Sequence, residues 1–242
     1  MALHLVREKI DLIIFNNTGK EREETLRFVQ TVSQKWGIEI IWLEYFNDLN
    51  GGGHSYRVVD FETASRNGEP FRNLIERKQM FLPNTKVRYC TEFLKIRPTR
   101  AYLKDLGILD YTRFLGIRYD EPERYHRLKS EAEMPLYSAK VTKKDVREFW
   151  AKQSFDLGLK DYQGNCDLCF LKGRRKKMTI LSENPKIAEW WALQEFEAQG
   201  TFDKEFSVLD LLERSKRPFQ KAVDATDLGI LELDLFHCFC GD

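Results

Sequence analysis

The chain has 242 residues, enough to bury one large α/β core with an appendage and too few for a three-domain assembly. Its 39 Lys and Arg against 38 Asp and Glu leave a formal charge of +1, which excludes an acidic tail and a uniformly basic face for wrapping duplex nucleic acid; any anion site must be local. A 42% hydrophobic share with 13% aromatic and 32% charged residues is that of a globular chain, and apolar runs such as Leu12–Phe15 fall far below the roughly 18 residues of a membrane span. The opening MALHLVREKI carries its charges after the apolar stretch and lacks a small-residue cleavage site, so it does not read as a secretory signal, and the expected compartment is the cytoplasm.

In chain order, Ile10–Phe15 is a short, β-branched apolar run followed by Asn16, Asn17, Thr18 and Gly19, which predicts a buried strand ending in a loop. From Glu21 to Trp36, Leu26, Val29, Val32 and Trp36 recur at helical spacing behind an acidic first turn, and Gly37 stops the helix. Ile38–Leu43 is a second strand, so a strand–helix–strand unit with a right-handed crossover is expected. Asn47–Ser55, with Gly51, Gly52 and Gly53, reads as a mobile loop, followed by a short strand at Arg57–Phe61 and a helix at Pro70–Gln79. Arg88–Leu106 has helical periodicity that Pro98 ends or kinks near Arg97. A further strand is expected at Thr112–Ile117, then a helix over Lys143–Lys152 capped by Thr142 with Asp145 three residues on, and helices at Pro185–Gln199 and Phe206–Arg214. This pattern predicts an α/β fold, divided softly near residue 135 into an α/β part (1–135) and a helix-rich, Cys-containing part (136–242).

Several residue groups can carry chemistry. Asn16–Thr25 places a Thr-Gly turn between a strand and a helix N-terminus, where backbone N–H groups can face an anion; it is equally the shape of a plain turn. Around Cys90, the cations Arg88, Lys95, Arg97 and Arg100 can hold phosphate or sulfate and lower a thiol pKa, or they form a solvated face with a buried cysteine in it. Gly116–Arg124 offers Arg118, with Asp120 and Glu121 to orient it. Lys172–Lys177 is a basic run that fits either a solvated face or a nucleic-acid contact. Five cysteines, an odd and sparse set, argue against a disulfide framework. Cys90, the C-x-x-C of Cys166 and Cys169, and the C-x-C of Cys238 and Cys240 can supply four thiolates to zinc or to a [4Fe–4S] cluster, with one to spare; His237 is a substitute ligand.

Asn17-Thr18-Gly19 with Glu21 and Glu24-Thr25, Arg88-x-Cys90-Thr91 with Leu94-Lys95 and Pro98, and Gly116-Ile117-Arg118 with Asp120-Glu121 stand in an order and spacing that resembles the phosphoadenosine phosphosulfate (PAPS) reductase family of the adenine nucleotide α-hydrolase superfamily. Gly164–Gly173 looks like a phage and bacterial branch of that family. The resemblance implies a Rossmann-like open parallel sheet and an enzyme acting on an adenine nucleotide, ATP or PAPS, by sulfur reduction or transfer. Thr18, Gly19 and Glu21 would then lie at the nucleotide, Arg88 and Lys95 near its anionic group, and Arg118 and Asp120 at the next strand end, with Lys95 also placed in catalysis. It further implies a [4Fe–4S] cluster, or zinc, on Cys90, Cys166, Cys169 and Cys238, with Cys240 before Gly241 as sulfur nucleophile and a thiol reductant such as thioredoxin as partner. Two other readings remain: a nucleotide-activating sulfurtransferase that modifies nucleic acid, and a non-catalytic partner subunit. The family's opening strand and Ser-Gly-Gly-x-x-Ser phosphate loop are not found in this sequence, and Ala2–Arg7 resembles the end of the helix that follows them. The expectation is a shortened or split form, or a second copy or partner chain filling that strand position.

Overall fold

The computed structural model describes residues 1–48 and 53–224. In chain order the elements are α1 (Ala2–Val6), β1 (Ile14–Asn17), α2 (Glu23–Trp36), β2 (Ile41–Asp48), β3 (Gly53–Val59), α3 (Glu69–Arg77), α4 (Tyr89–Thr91), a π-helical segment (Glu92–Ile96), α5 (Arg97–Asp105), α6 (Pro122–Leu128), α7 (Pro135–Ser138), α8 (Lys143–Ala151), α9 (Arg174–Glu183), α10 (Ile187–Ala198) and α11 (Val208–Ser215). They fall into two units, a larger one of Ile14–Tyr102 with Gly158 onward and a smaller one of Met1–Ile13 with Leu103–Leu157.

The larger unit is of the α/β class. Its sheet has the order β1-β2-β3, with β1 and β2 parallel and β2 and β3 antiparallel. The expected strand–helix–strand unit is there: β1 and β2 pair from Ile14↔Ile41 to Asn17↔Glu44, and α2 makes the crossover. Gly37 ends α2 in the left-handed conformation at φ 59°, which a residue without Cβ adopts cheaply. The strands start later than the apolar runs, because Ile14 is the first residue of β1 with a partner and that partner is Ile41. The sheet is mixed rather than purely parallel: most of the glycine-rich stretch read as a loop is a hairpin, pairing Asp48↔Gly53 through Trp42↔Val59.

As the central strand, β2 buries both faces, with Trp42, Leu43, Glu44 and Tyr45 all nearly inaccessible. On one side Trp42 and Leu26 pack with Ala64 and Phe15. On the other, Tyr45 joins the main core, where Leu74 and Ile75 of α3, Leu94, Leu168, Ile180 and Leu181 of α9, Trp191 of α10 and Leu211 of α11 meet. The charged residue in this central strand is matched across the sheet. Glu44 has no exposed side chain, stands in register with Asn17 and Arg57, and accepts from Asn17 Nδ2 at 2.6 Å, Arg57 Nε at 2.8 Å and the Ser65 N–H at 2.6 Å.

Pro98 does not end the helix expected over Arg88–Leu106. Without an N–H, and with a ring that clashes against the preceding turn, it is accommodated by the wider π turn at Glu92–Ile96, after which α5 runs on. The basic run expected as a charged face is the first turn of α9.

In the smaller unit the strand expected at Thr112–Ile117 is a single bridge, Phe114 to Glu133, because the opposing chain offers no further partner in register; Ile117 is nonetheless buried. The capping box at α8 is as read: Thr142 N–H and Oγ1 donate to Asp145 Oδ2 at 2.7 and 2.6 Å. Pro122 opens α6 from its first position, where its missing N–H costs nothing. Among the described residues no helix is long and apolar enough to cross a membrane.

One close approach in the larger unit is absolute. Gly68, the N-cap of α3, has φ +85° and lies so near the Trp190 indole that a Cβ would stand 2.4 Å from Nε1. Gly68→Ala therefore combines a strained backbone with an overlap that the indole must move to relieve. The expected cost is about 2–4 kcal/mol, read as a lower midpoint in urea unfolding; a shift within error would show that Trp190 does not pack there.

Candidate functional site at the end of β1

At the carboxyl end of β1 the chain turns back on itself before α2. Asn17 Oδ1 accepts the Gly19 N–H at 3.0 Å, and Gly19 takes φ +77°, where a Cβ would meet Pro70 Cδ at 2.8 Å. Thr18 donates twice to one oxygen of Glu21, from N–H and from Oγ1, both at 2.7 Å, and accepts the Lys20 N–H at 3.4 Å. The other Glu21 oxygen lies 3.7 Å from Lys95 Nζ on the π-helical segment. Three of the predicted site residues, Thr18, Glu21 and Lys95, are thus brought together, with Gly19 forming the turn between them.

The turn was expected to offer free backbone N–H groups to an anion. Those of Thr18, Gly19 and Lys20 are already accepted inside the loop. Beyond these, Lys95 is a third exposed, and Thr25 in the first turn of α2 has its Oγ1 buried without a hydrogen-bond partner among the described residues. Arg88 sits at the N-cap of α4, one turn from Cys90. Burial pushes the Cys90 thiol pKa up, against the opposing pull of the Lys95 charge and of hydrogen bonding at Thr91, so the neutral thiol is favoured there.

The C-x-x-C segment lies against this loop. Glu21 and Cys166 form an antiparallel bridge, the Arg22 N–H donates to Asn165 O at 2.6 Å, and the Asp167 N–H to Lys20 O at 2.9 Å. Asp167 then pairs with Lys20 at 2.8 Å and accepts from Trp191 Nε1 at 2.8 Å, while Lys20 Nζ lies 4.9 Å over the Trp190 ring. Cys166 is half-buried and Cys169 buried. Among the described residues no three His, Cys, Asp or Glu side chains are gathered to hold a metal ion. The described cysteines therefore do not by themselves fit a cluster or a zinc site. His237, Cys238 and Cys240 lie outside the described residues.

Arg118 and Asp120 belong to the smaller unit and are paired there. Arg118 Nε donates to Asp120 Oδ1 at 2.9 Å, Glu121 Oε2 accepts the Arg118 N–H at 3.0 Å, and Arg124 binds the other Glu121 oxygen at 2.5 Å. Burial raises the Glu121 pKa, but the Arg118 N–H and the charges of Arg118 and Arg124 overcome it and hold the carboxyl below its ordinary value.

Three cations of the Lys172–Lys177 run have partners inside the larger unit. Lys172 Nζ donates to Cys166 O at 2.9 Å, Lys177 Nζ to Asp203 Oδ2 at 2.8 Å, and Arg174 contacts Asp203 and Glu205 at 3.4 and 3.0 Å. Sequence reading quoted Thr25 within the motif but missed Asp167, Gly68 and Glu44. The available signals were an acid inside the C-x-x-C, a glycine directly before the Glu69-Pro70 helix start, and a charge within an apolar strand.

The larger unit is thus an α/β unit with a glycine turn between strand and helix, Lys95 close to the Glu21 of that turn and the C-x-x-C loop docked alongside. Residues 1–136 match the phosphoadenosine phosphosulfate reductase domain, and the chain belongs to that family. It is similar to an uncharacterized nin region protein of Escherichia phage lambda, 33% identical over 173 residues that cover 67% of this chain and 57% of the phage protein. It is also similar to an uncharacterized protein of Methanocaldococcus jannaschii, 28% identical over 118 residues, 49% of this chain and 19% of the archaeal one. The chain thus spans little more than half the length of the first relative and a fifth of the second. No solved structure matches it.

The ion pairs of the basic run have a pH signature. Burial raises the Asp203 pKa, but Lys177, the Glu205 N–H and Arg174 lower it further, to about 2. A folded-state pKa below the unfolded value of about 3.9 gives stability that is present above pH 4 and lost as pH falls from there through about 2, on the order of 1–2 kcal/mol. Asp203→Asn should remove that component, lowering stability at pH 7 and flattening the pH dependence of unfolding between pH 4 and 2. An unchanged acid limb would show the pairs to be dispensable.

Proposed function

We propose that the chain binds an adenine nucleotide bearing a phosphate or phosphosulfate group, ATP or PAPS, at the carboxyl end of β1, and that it serves sulfur reduction or transfer at the anionic end of that ligand. The observation that carries the reading is the Thr18–Glu21–Lys95 group: a loop closed by its own hydrogen bonds, with a partly exposed ammonium 3.7 Å from a carboxylate that positions it. Membership of the family supports the nucleotide class of ligand. The buried Thr25 hydroxyl in the first turn of α2 is a second donor in the same region, where the helix dipole also favours an anion. Arg88, flanking Cys90, is a further cation for the anionic group. In this reading Lys95 neutralises charge on the transferred or reduced group, and Glu21 is a positioning residue that holds Lys95 and Thr18. Cys240 is the thiol assigned to sulfur chemistry and a thiol reductant its partner.

Calorimetric titration of the full chain with ATP and with PAPS tests this. One of the two should bind, and Lys95→Ala should weaken it about tenfold to a hundredfold, the loss of a charge-assisted contact of about 1.5–3 kcal/mol. Glu21→Gln should weaken binding less and leave Lys95→Ala with a smaller effect than in the parent, because the two act as a unit. Absence of heat with either nucleotide at millimolar concentration overturns the proposal.

A further inference from the structure

A second segment of the larger unit collects positive charge, of which the nucleotide reading uses only Arg88 and Lys95. The segment Glu76–Arg100 carries Arg77, Lys78, Lys86, Arg88, Lys95, Arg97 and Arg100 against only Glu76 and Glu92, in a chain of net charge +1. Its fold closes on aromatic rings. Tyr89 donates its hydroxyl to Phe81 O, and the Tyr89 ring stands 6.4 Å from Phe81 and 6.3 Å from Phe93. Two cations then share one ring: Lys78 Nζ is 3.7 Å and Arg97 Cζ 4.0 Å from the Phe93 centroid.

The acids of the segment do not balance these charges. Glu76 is engaged by Arg72 at 3.0 Å and Glu92 by Arg97 at 3.1 Å. Among the described residues no carboxylate lies within ion-pair distance of Lys78, whose ammonium contacts are the Phe93 and Tyr89 rings. Burial and the positive charges of Arg97 and Arg77 push the Lys78 pKa down, which registers the same crowding of like charge. Beside these cations Phe81 exposes half its surface. Two like charges held on one aromatic ring beside an exposed ring, Lys78 without a carboxylate in ion-pair distance among the described residues and Arg97 sharing Glu92 with Arg100, suit a ligand that brings anionic groups and flat apolar surfaces at once.

We propose that the face formed by Lys78, Arg97, Phe81 and Phe93 binds single-stranded nucleic acid, its phosphates on the two cations and a base on Phe81. In the Lys172–Lys177 run, by contrast, Lys172, Arg174 and Lys177 have partners within the unit. A single phosphate would need one cation pair and no exposed ring; a duplex would hide the base faces that Phe81 can stack on. The inference stands on this face alone and does not depend on the nucleotide site.

Fluorescence anisotropy of the full chain with a short labelled oligouridylate or oligothymidylate, measured over a salt series, tests it. The parent should bind, and the charge-reversed K78E/R97E chain should bind at least about tenfold more weakly, with a log–log salt slope shallower by about 1.4, the single-strand value for two phosphate contacts. Phe81→Ala should weaken binding about fivefold or more without changing that slope. Should K78E/R97E lose its cooperative melt, Lys78→Gln alone decides, with a slope shallower by about 0.7, the single-strand value for one phosphate contact. No binding by the parent, tighter binding to duplex than to single strand, an unchanged slope in the variants, or full displacement by millimolar inorganic phosphate each overturns the proposal. ATP and PAPS titrations of Lys78→Gln and Phe81→Ala keep the two readings apart: nucleotide affinity should be as in the parent, and a parent that binds oligonucleotide but neither ATP nor PAPS would overturn only the earlier one.

Discussion

The buried carboxylate of Glu44 fixes where the strand-end loop can be. A charged group with no exposure in a central strand is tolerated only if its oxygens are fully used, and here the donors come from three different segments. Asn17 supplies one from the last residue of β1, Arg57 two from β3, and Ser65 two from the loop that leads to α3. Because Asn17, Glu44 and Arg57 stand in one register row, the pairing of the sheet and the satisfaction of the carboxylate are a single requirement. Asn17 also uses its other side-chain atom to close the turn at Gly19. The geometry of the candidate site is therefore set by a group in the next strand, which itself contacts no ligand.

The same logic joins the C-x-x-C loop to the site. Residues 20–22 and 165–167 pair through backbone hydrogen bonds, and Lys20, Asp167, Trp190 and Trp191 lock the pairing with an ion pair, an indole hydrogen bond and a cation–π contact. Gly68 lets Trp190 close over this junction, and Gly19 lets Gly68 approach from the other side. Segments distant in sequence thus reach the strand end with little freedom left, which suits a site whose recognition rests on a few side chains.

How much of this could be read in advance follows from the range of the forces. The α2 helix, its Gly37 stop and the Thr142–Asp145 box depend on neighbours within four residues, and periodicity and capping rules captured them. The Thr18–Glu21–Lys95 group was named residue by residue, though the free N–H groups expected of its turn are used within the loop. The hairpin of β2 and β3 was hidden because glycines that mark a loop can also sit at the mouth of a ladder. A strand at Thr112–Ile117 was suggested by composition but lacks a partner of matching length, which composition does not encode. Glu44 and Asp167 were invisible for a further reason: an acid withdrawn from solvent is defined by its donors, and these come from residues 13 to 147 positions away.

Charge illustrates the point most fully. Two basic clusters look alike as strings, Lys172–Lys177 and the cations around Cys90, yet their fates differ. In the first, the helical turn of α9 aims Lys177 and Arg174 at Asp203, so burial and pairing convert the charge into stability. In the second, the π-helical turn and α5 set Arg97 against Phe93 and Glu92, while the end of α3 brings Lys78 to the same ring, where aromatic faces take the place of a carboxylate for Lys78. A ring quadrupole attracts a cation without neutralising it, so the field of these residues persists at the surface where a carboxylate would have cancelled it. The distinction between a cation that holds the fold and one left to meet a ligand thus rests on the partner the fold provides, and a near-neutral chain can keep a strong local field only where that partner is aromatic.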